Sequence, residues 1–201
     1  MIGTSDCSTI PVRIQSSILL IVLLFALGCS QESETPPAYI EIERAEQLMA
    51  ASRYPEAIVV FQEQIERTPS VAHLHSLLAN AFVADERLIE AVAAYQQCLK
   101  LNPSLGEARV ELAILLTRLD RLPEAEQELQ AAISRDPALA RAHRILGRIH
   151  YREARYDEAV GAYQRAIDAD PDFGRAWGDI GQAEVRRGNL DAAQNAYRRA
   201  S

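Results

Sequence analysis

Glycine, proline, cysteine and aromatic residues are all scarce in this chain of 201 residues, which has nine Gly, nine Pro, three Cys, one Trp, seven Tyr and four Phe. With so little glycine, neither a phosphate-cradling P-loop nor a dinucleotide-binding glycine pattern occurs. Three cysteines make no disulfide framework and no paired-cysteine metal motif. Cys7 precedes an apolar run, Cys29 ends it, and Cys98 stands alone in a helical stretch, where it reads as a small buried hydrophobe. An excess of positive charge is also missing. The formal net charge is −7, and a nucleic-acid backbone requires a cationic surface. The acidity is uneven: residues 31–105 hold eleven acidic and five basic groups, and residues 106–201 hold sixteen and fifteen. Any basic surface must lie in the second half.

Long apolar runs are missing too. The longest, Ile18 to Leu27, has ten residues; as a helix it would reach about 15 Å, half of the roughly 30 Å hydrocarbon core of a bilayer. Preceded by Arg13 and followed by Gly28-Cys29-Ser30, it has the layout of a secretory h-region. Its end, Phe25-Ala26-Leu27-Gly28-Cys29, resembles the lipobox of bacterial lipoprotein precursors, with Ala26 and Leu27 reversing the commoner order. The resemblance implies that residues 1–28 are a signal peptide and that Cys29 is acylated on sulfur and anchors the chain to a membrane. Ordinary secretion is the alternative. Ser30, in place of the Asp that favours inner-membrane retention in such proteins, points to the periplasmic side of an outer membrane. Residues 29–37, polar and Pro-rich, read as a short tether.

What the chain has in abundance is a period. Pro69, Pro103, Pro137 and Pro171 are 34 residues apart, and so are Ala57, Ala91, Ala125, Ala159 and Ala193. Four residues after each Ala stands a large side chain: Phe61, Tyr95, Leu129, Tyr163 and Tyr197. Alanine lets two helices approach, the residue at i+4 fills the space on the same face, and proline stops the second helix. Asn102, Asp136 and Asp170 before three of the prolines suit a turn. Such a helix pair cannot bury its apolar faces alone and is stable only when stacked.

These marks resemble the tetratricopeptide repeat, most closely in Trp177-Gly-Asp-Ile180-Gly181 followed by Ala193 and Tyr197, and in Leu146-Gly147 with Ala159, Tyr163 and Pro171. The resemblance implies an all-α, right-handed α-solenoid of about five helix–turn–helix repeats: 38–71, 72–105, 106–139, 140–173 and an incomplete 174–201. Repeat 1 is the most divergent, with Arg44-Ala45 in place of Leu-Gly. Repeat 5 stops partway along its second helix, so Val185, Leu190, Ala193 and Tyr197 are expected to be partly open. Either the sequence is truncated, or this end docks on a partner or on another copy.

Candidate chemistry is thin. His73 and His75 face different ways on a helix. His143 and His150 share a face but occupy positions that pack between helices, which is a structural reading rather than a metal pair. No cofactor, metal or catalytic set is indicated, and most carboxylates read as solvated helix faces. In the family, the first helix of each repeat lines an inner groove. That places Arg141, Arg144, Arg148, Tyr151 and Arg152 of repeat 4 there, with Arg175, Gln182 and Arg186 of repeat 5, Arg118 of repeat 3 and Asn80 of repeat 2. Arginines so spaced repel unless something answers them. Glu107, Glu111 and Asp179 would do so internally; an acidic segment or free C-terminal carboxylate of a partner would do so from outside, since the planar guanidinium grips carboxylates bidentately. Asn80 and Arg141 fall at positions of a chaperone-binding carboxylate clamp, but Ser76, Glu111 and Ile145 depart from it.

The sequence therefore points to a membrane-anchored protein-interaction scaffold in a bacterial envelope, of the kind that assembles envelope, pilus or secretion complexes, and not to an enzyme. Two alternatives stand beside it: the front end of a longer enzyme or sensor, and a homo-oligomeric scaffold joined through the open last repeat.

Overall fold

A computed structural model describes residues 38–200. The apolar run, Cys29 and the Pro-rich tether lie outside the described residues. Ten α-helices and no strand occur among those described. In chain order they are α1 Ala38–Ala50, α2 Tyr54–Arg67, α3 Ala72–Ala84, α4 Leu88–Leu101, α5 Gly106–Arg118, α6 Leu122–Arg135, α7 Ala140–Arg152, α8 Tyr156–Ala169, α9 Gly174–Arg187 and α10 Leu190–Arg199. Odd-numbered helices are the first of each repeat and even-numbered the second. The fold is an all-α solenoid of helix hairpins. Each second helix also packs on the first helix of the next repeat, and the first helices of repeats 3, 4 and 5 touch one another directly. The first helices therefore share one face.

Two kinds of turn alternate. Between the helices of a repeat, the chain enters the left-handed region at one register throughout: Ser52, Glu86, Asp120 and Ala154 have φ of 59°, 59°, 61° and 59°, and Gly188 has 83°. The next amide then donates back five residues, as in Arg53 N to Leu48 O at 2.9 Å and Arg121 N to Leu116 O at 2.8 Å. This closure satisfies carbonyls that the helix end leaves open. Between repeats, Asn102, Asp136 and Asp170 act as expected of turn residues. Their Oδ1 atoms accept from the amides of Ser104, Ala138 and Asp172 at 3.1, 3.0 and 3.2 Å, while the following proline denies the helix its next amide.

The core is the stack of repeating alanines with their i+4 partners. Ala57, Ala91, Ala125, Ala159 and Ala193 are all buried, which for Ala193 differs from the expected opening of the last repeat. Val185, Leu190 and Tyr197 are exposed, in line with it. Gly147 takes the ring of Tyr163: a Cβ there would lie 2.5 Å from Tyr163 Cε1. Two of the buried histidines, His75 and His143, serve the turns. His75 Nε2 meets Pro69 O at 3.2 Å and His143 Nε2 meets Pro137 O at 3.0 Å, while Arg109, at the same register, reaches Pro103 O at 3.4 Å.

Candidate peptide groove

The shared face of the first helices gathers the residues singled out in the sequence, but most of the arginines are engaged within the chain. Arg141 donates to Glu107 at 2.9 Å and to Glu111 at 2.5 Å, bridging repeats 3 and 4. Arg144 donates to Asp179 of repeat 5 at 2.5 Å. That pair is the more enclosed, with side chains 18% and 15% exposed, and Phe173 stacks under the guanidinium at 5.8 Å. Arg118 reaches Glu86 at 2.9 Å, and Arg152 reaches Asp120 at 2.9 Å and the carbonyl of Thr117 at 2.6 Å. Of the two answers the sequence left open, Glu107, Glu111 and Asp179 supply the internal one.

The period explains which arginines are left over. Arg118, Arg152 and Arg186 share a register, and the first two meet an acid 32 residues earlier; for Arg186 that position is Ala154, so its Nε donates to the hydroxyl of Tyr151 at 3.1 Å instead. Arg175 shares the register of Arg141. The positions that offer Glu107 and Glu111 to Arg141 offer Arg141 and Ile145 to Arg175. Arg175 and Arg148 are exposed and form no ion pair with another described residue, and Gln182 is exposed beside them. The basic character of the groove thus resides in repeats 4 and 5.

Repeats 2 and 3 present something different, a pocket of about 550 Å³ whose walls include His73, Ser76, Asn80, Tyr95, Glu107 and Glu111. Tyr95 donates to Asn80 Oδ1 at 2.5 Å across its floor. Burial, with the charge of Glu111 as a smaller contribution, pushes the Tyr95 phenol above its ordinary pKa and keeps it a donor. The Asn80 Oδ1 is thereby engaged, and its amide hydrogens form no hydrogen bond with another described residue. The two matches to the carboxylate clamp, Asn80 and Arg141, are thus each tied to an internal partner. The sequence names these residues but not the pocket, which arises from how α3, α4 and α5 lean together.

The burial of Glu184 went unread, and so did the carboxylates beside His150, itself read from the sequence as packing between helices. Glu184 is buried and accepts from Arg187 at 2.7 Å and Asn189 at 2.8 Å, closing the last turn of α9. His150, buried on α7, brings a ring nitrogen within 4.8 Å of carboxylate oxygens of Glu126 and Glu153, a set able to hold a metal ion. Arg155 bonds both carboxylates there.

Models described as tetratricopeptide repeat match residues 42–106, 77–140, 110–173 and 150–201. No curated protein matches. Solved structures of similar fold include MamA 41-end from Desulfovibrio magneticus RS-1, at 20% identity over 83% of this chain and 94% of that one, with a TM-score of 0.73. PilF of Pseudomonas aeruginosa matches at 17% identity over 81% and 74%, TM-score 0.72. YrrB, described as a TPR protein with an unusual peptide-binding site, matches at 21% identity over 84% and 87%, TM-score 0.64. At these identities the likeness is one of fold.

Proposed function

Since the chain belongs to the tetratricopeptide repeat family, we propose that it is a non-catalytic scaffold that captures a partner polypeptide on the shared face of its first helices. The observation that carries this reading is the pair of exposed arginines, Arg148 and Arg175, that no described carboxylate answers. A guanidinium left open on a face otherwise laced with internal ion pairs is available to a carboxylate from outside. The partner segment is acidic or ends in a free carboxylate at repeats 4 and 5, and it runs on toward the pocket at Asn80, where side-chain amides can meet peptide groups.

The scaffold works tethered to a membrane through Cys29, in a bacterial envelope, bringing its partner to an assembling complex. The lipobox-like Phe25 to Cys29 supports this part, which stands apart from the groove. Among the described residues no helix is long and apolar enough to cross a bilayer.

Two experiments test the two parts. Fluorescence anisotropy with an acidic peptide should show binding weakened about tenfold by Arg148→Glu with Arg175→Glu, and by amidating the peptide terminus, at unchanged helical content. Equal affinity across these arms removes the groove reading. Metabolic labelling with an alkyne fatty acid should mark the wild type and not Cys29→Ser; equal labelling of both removes the anchor.

A further inference from the structure

The 34-residue register shows where repeats 3 and 4 depart from their siblings. At the position of His150, repeats 1 to 3 hold Leu48, Phe82 and Leu116; at that of Glu126, repeats 1, 2 and 4 hold Ile58, Val92 and Val160. Two otherwise apolar places have thus become polar, and the fold brings them together. Ligand atoms of Glu126 on α6, His150 on α7 and Glu153 at the end of α7 all lie within 4.8 Å of one another. His150 is 8% exposed, and its Nδ1 is buried without a hydrogen-bond partner, a costly state for a polar atom that nothing answers.

Arg155 meets the two carboxylates, and it too breaks a pattern. Arg53, Arg87 and Arg121, at its register, each donate to the glutamate three residues on: Glu56, Glu90 and Glu124. Arg155 has Glu158 at that place. It donates instead to Glu153 Oε2, 3.0 Å from its Nε, and to Glu126 Oε2 at 3.4 Å. That answers the acids and leaves the imidazole nitrogen alone. The other oxygen of Glu126 accepts from the Gln130 amide at 3.3 Å, the kind of outer hydrogen bond that orients a ligating carboxylate.

We infer that Glu126, His150 and Glu153 bind a divalent transition-metal ion such as Zn²⁺, which ties repeat 3 to repeat 4. One imidazole and two carboxylates suit that class, whereas Mg²⁺ and Ca²⁺ take oxygen ligands and have no use for the imidazole. At bond lengths of about 2.1 Å the ligand atoms stand about 3.4 Å apart, so the three side chains draw together by about 1 Å. Arg155 gives way by turning to Glu158, the arrangement its three counterparts already hold. The ion brings two charges where the guanidinium brought one, and it gives the buried nitrogen a partner. Burial holds the His150 imidazole below its ordinary pKa, so at neutral pH it carries the free lone pair a metal needs. The inference does not depend on the groove.

The test is calorimetric titration of the full chain, carrying no histidine tag, with Zn²⁺ at neutral pH. One saturable site is expected, and Co²⁺ in its place should give a visible ligand-field absorption. His150→Leu restores the residue of repeats 1 and 3, which keeps the fold, and should weaken binding about tenfold or more. Arg155→Gln removes the competitor and should tighten binding about two- to fivefold; an arginine that merely braces the turn would give no tightening, and that result overturns the inference. So does the absence of saturable binding, equal affinity of the wild type and His150→Leu, or displacement of Zn²⁺ by equimolar Mg²⁺, which would mark an acidic surface only.

Discussion

Replacing Ala154 with glycine should stabilise the protein, although glycine is ordinarily the poorer choice. Ala154 is exposed in the turn between α7 and α8 and has φ of 59°, where its Cβ crowds the following carbonyl at a cost of about 1–2 kcal/mol. Glycine relieves that crowding but adds freedom to the unfolded chain, worth roughly 0.5–1 kcal/mol in the other direction. The balance is a gain of about 0.5–1 kcal/mol, or a rise in melting temperature of about 1–4 °C for an array of this size. Two controls fix the sign. Ala131→Gly, inside α6 with ordinary helical backbone, should cost about 1 kcal/mol. Gly188→Ala, at φ of 83° with nothing within 4 Å of the new Cβ, should cost about 1 kcal/mol from backbone conformation alone. Urea denaturation followed by circular dichroism reads all three. If Ala154→Gly and Ala131→Gly destabilise alike, the left-handed register carries no strain and the reasoning fails.

Gly147→Ala should destabilise by about 1–3 kcal/mol, since the new methyl meets the buried ring of Tyr163 and the carbonyl of Ala159 at 3.1 Å. Gly181→Ala, though it meets Tyr197 at 2.6 Å, should cost less because Tyr197 is 42% exposed where Tyr163 is buried; equal denaturation midpoints would contradict this. Gln64 is 1% exposed with both side-chain polar atoms unpartnered, so Gln64→Met, which keeps the volume, should stabilise by about 1 kcal/mol; no shift in the urea midpoint would show that the amide is satisfied after all. Burial pushes the His150 imidazole below its ordinary pKa of 6.5, with Arg155 adding to the effect against Glu126, Glu153 and Glu158. The unfolded chain therefore binds a proton that the native one resists, and stability should fall as pH drops through about 6.5 toward the lower folded value. His150→Gln should flatten that slope, and an unchanged pH profile of the melting temperature would count against it.

The helices and their stacking were legible because each depends on short-range chemistry repeated five times. Proline stops the second helix of repeats 1 to 4, with Asn or Asp before it in three of them, alanine sets the close approach, and a large side chain at i+4 fills it. The pairing of Arg141 with Glu107 and Glu111, and of Arg144 with Asp179, was also within reach, as helix spacing puts opposite charges on neighbouring faces. The left-handed turn register was not. Ser52, Glu86 and Ala154 are poor markers of positive φ, and only Asp120 and Gly188 signal it; the conformation is imposed by helix closure. Glu184 was hidden because a carboxylate on an exposed-looking helix gives no sign of the Arg187 and Asn189 side chains that fold over it. The pocket beside Asn80 depends on how neighbouring hairpins lean, a property of whole helices rather than of any residue pair. The same limit applied to Arg175, whose isolation shows only when the partners of Arg141 are known.

The side chains that reach back to a proline carbonyl have a mechanical consequence. His75, Arg109 and His143 each latch one hairpin to the loop ending the hairpin before it. Tension along the array loads these latches in series, so it yields one joint at a time. Trp177 occupies the same register and makes no such bond to Pro171. The joint before repeat 5 relies instead on side-chain pairs, Arg144 with Asp179, Arg186 with Tyr151 and Arg187 with Asp157, so pull there loads charged contacts on the helix faces rather than a bond into the loop.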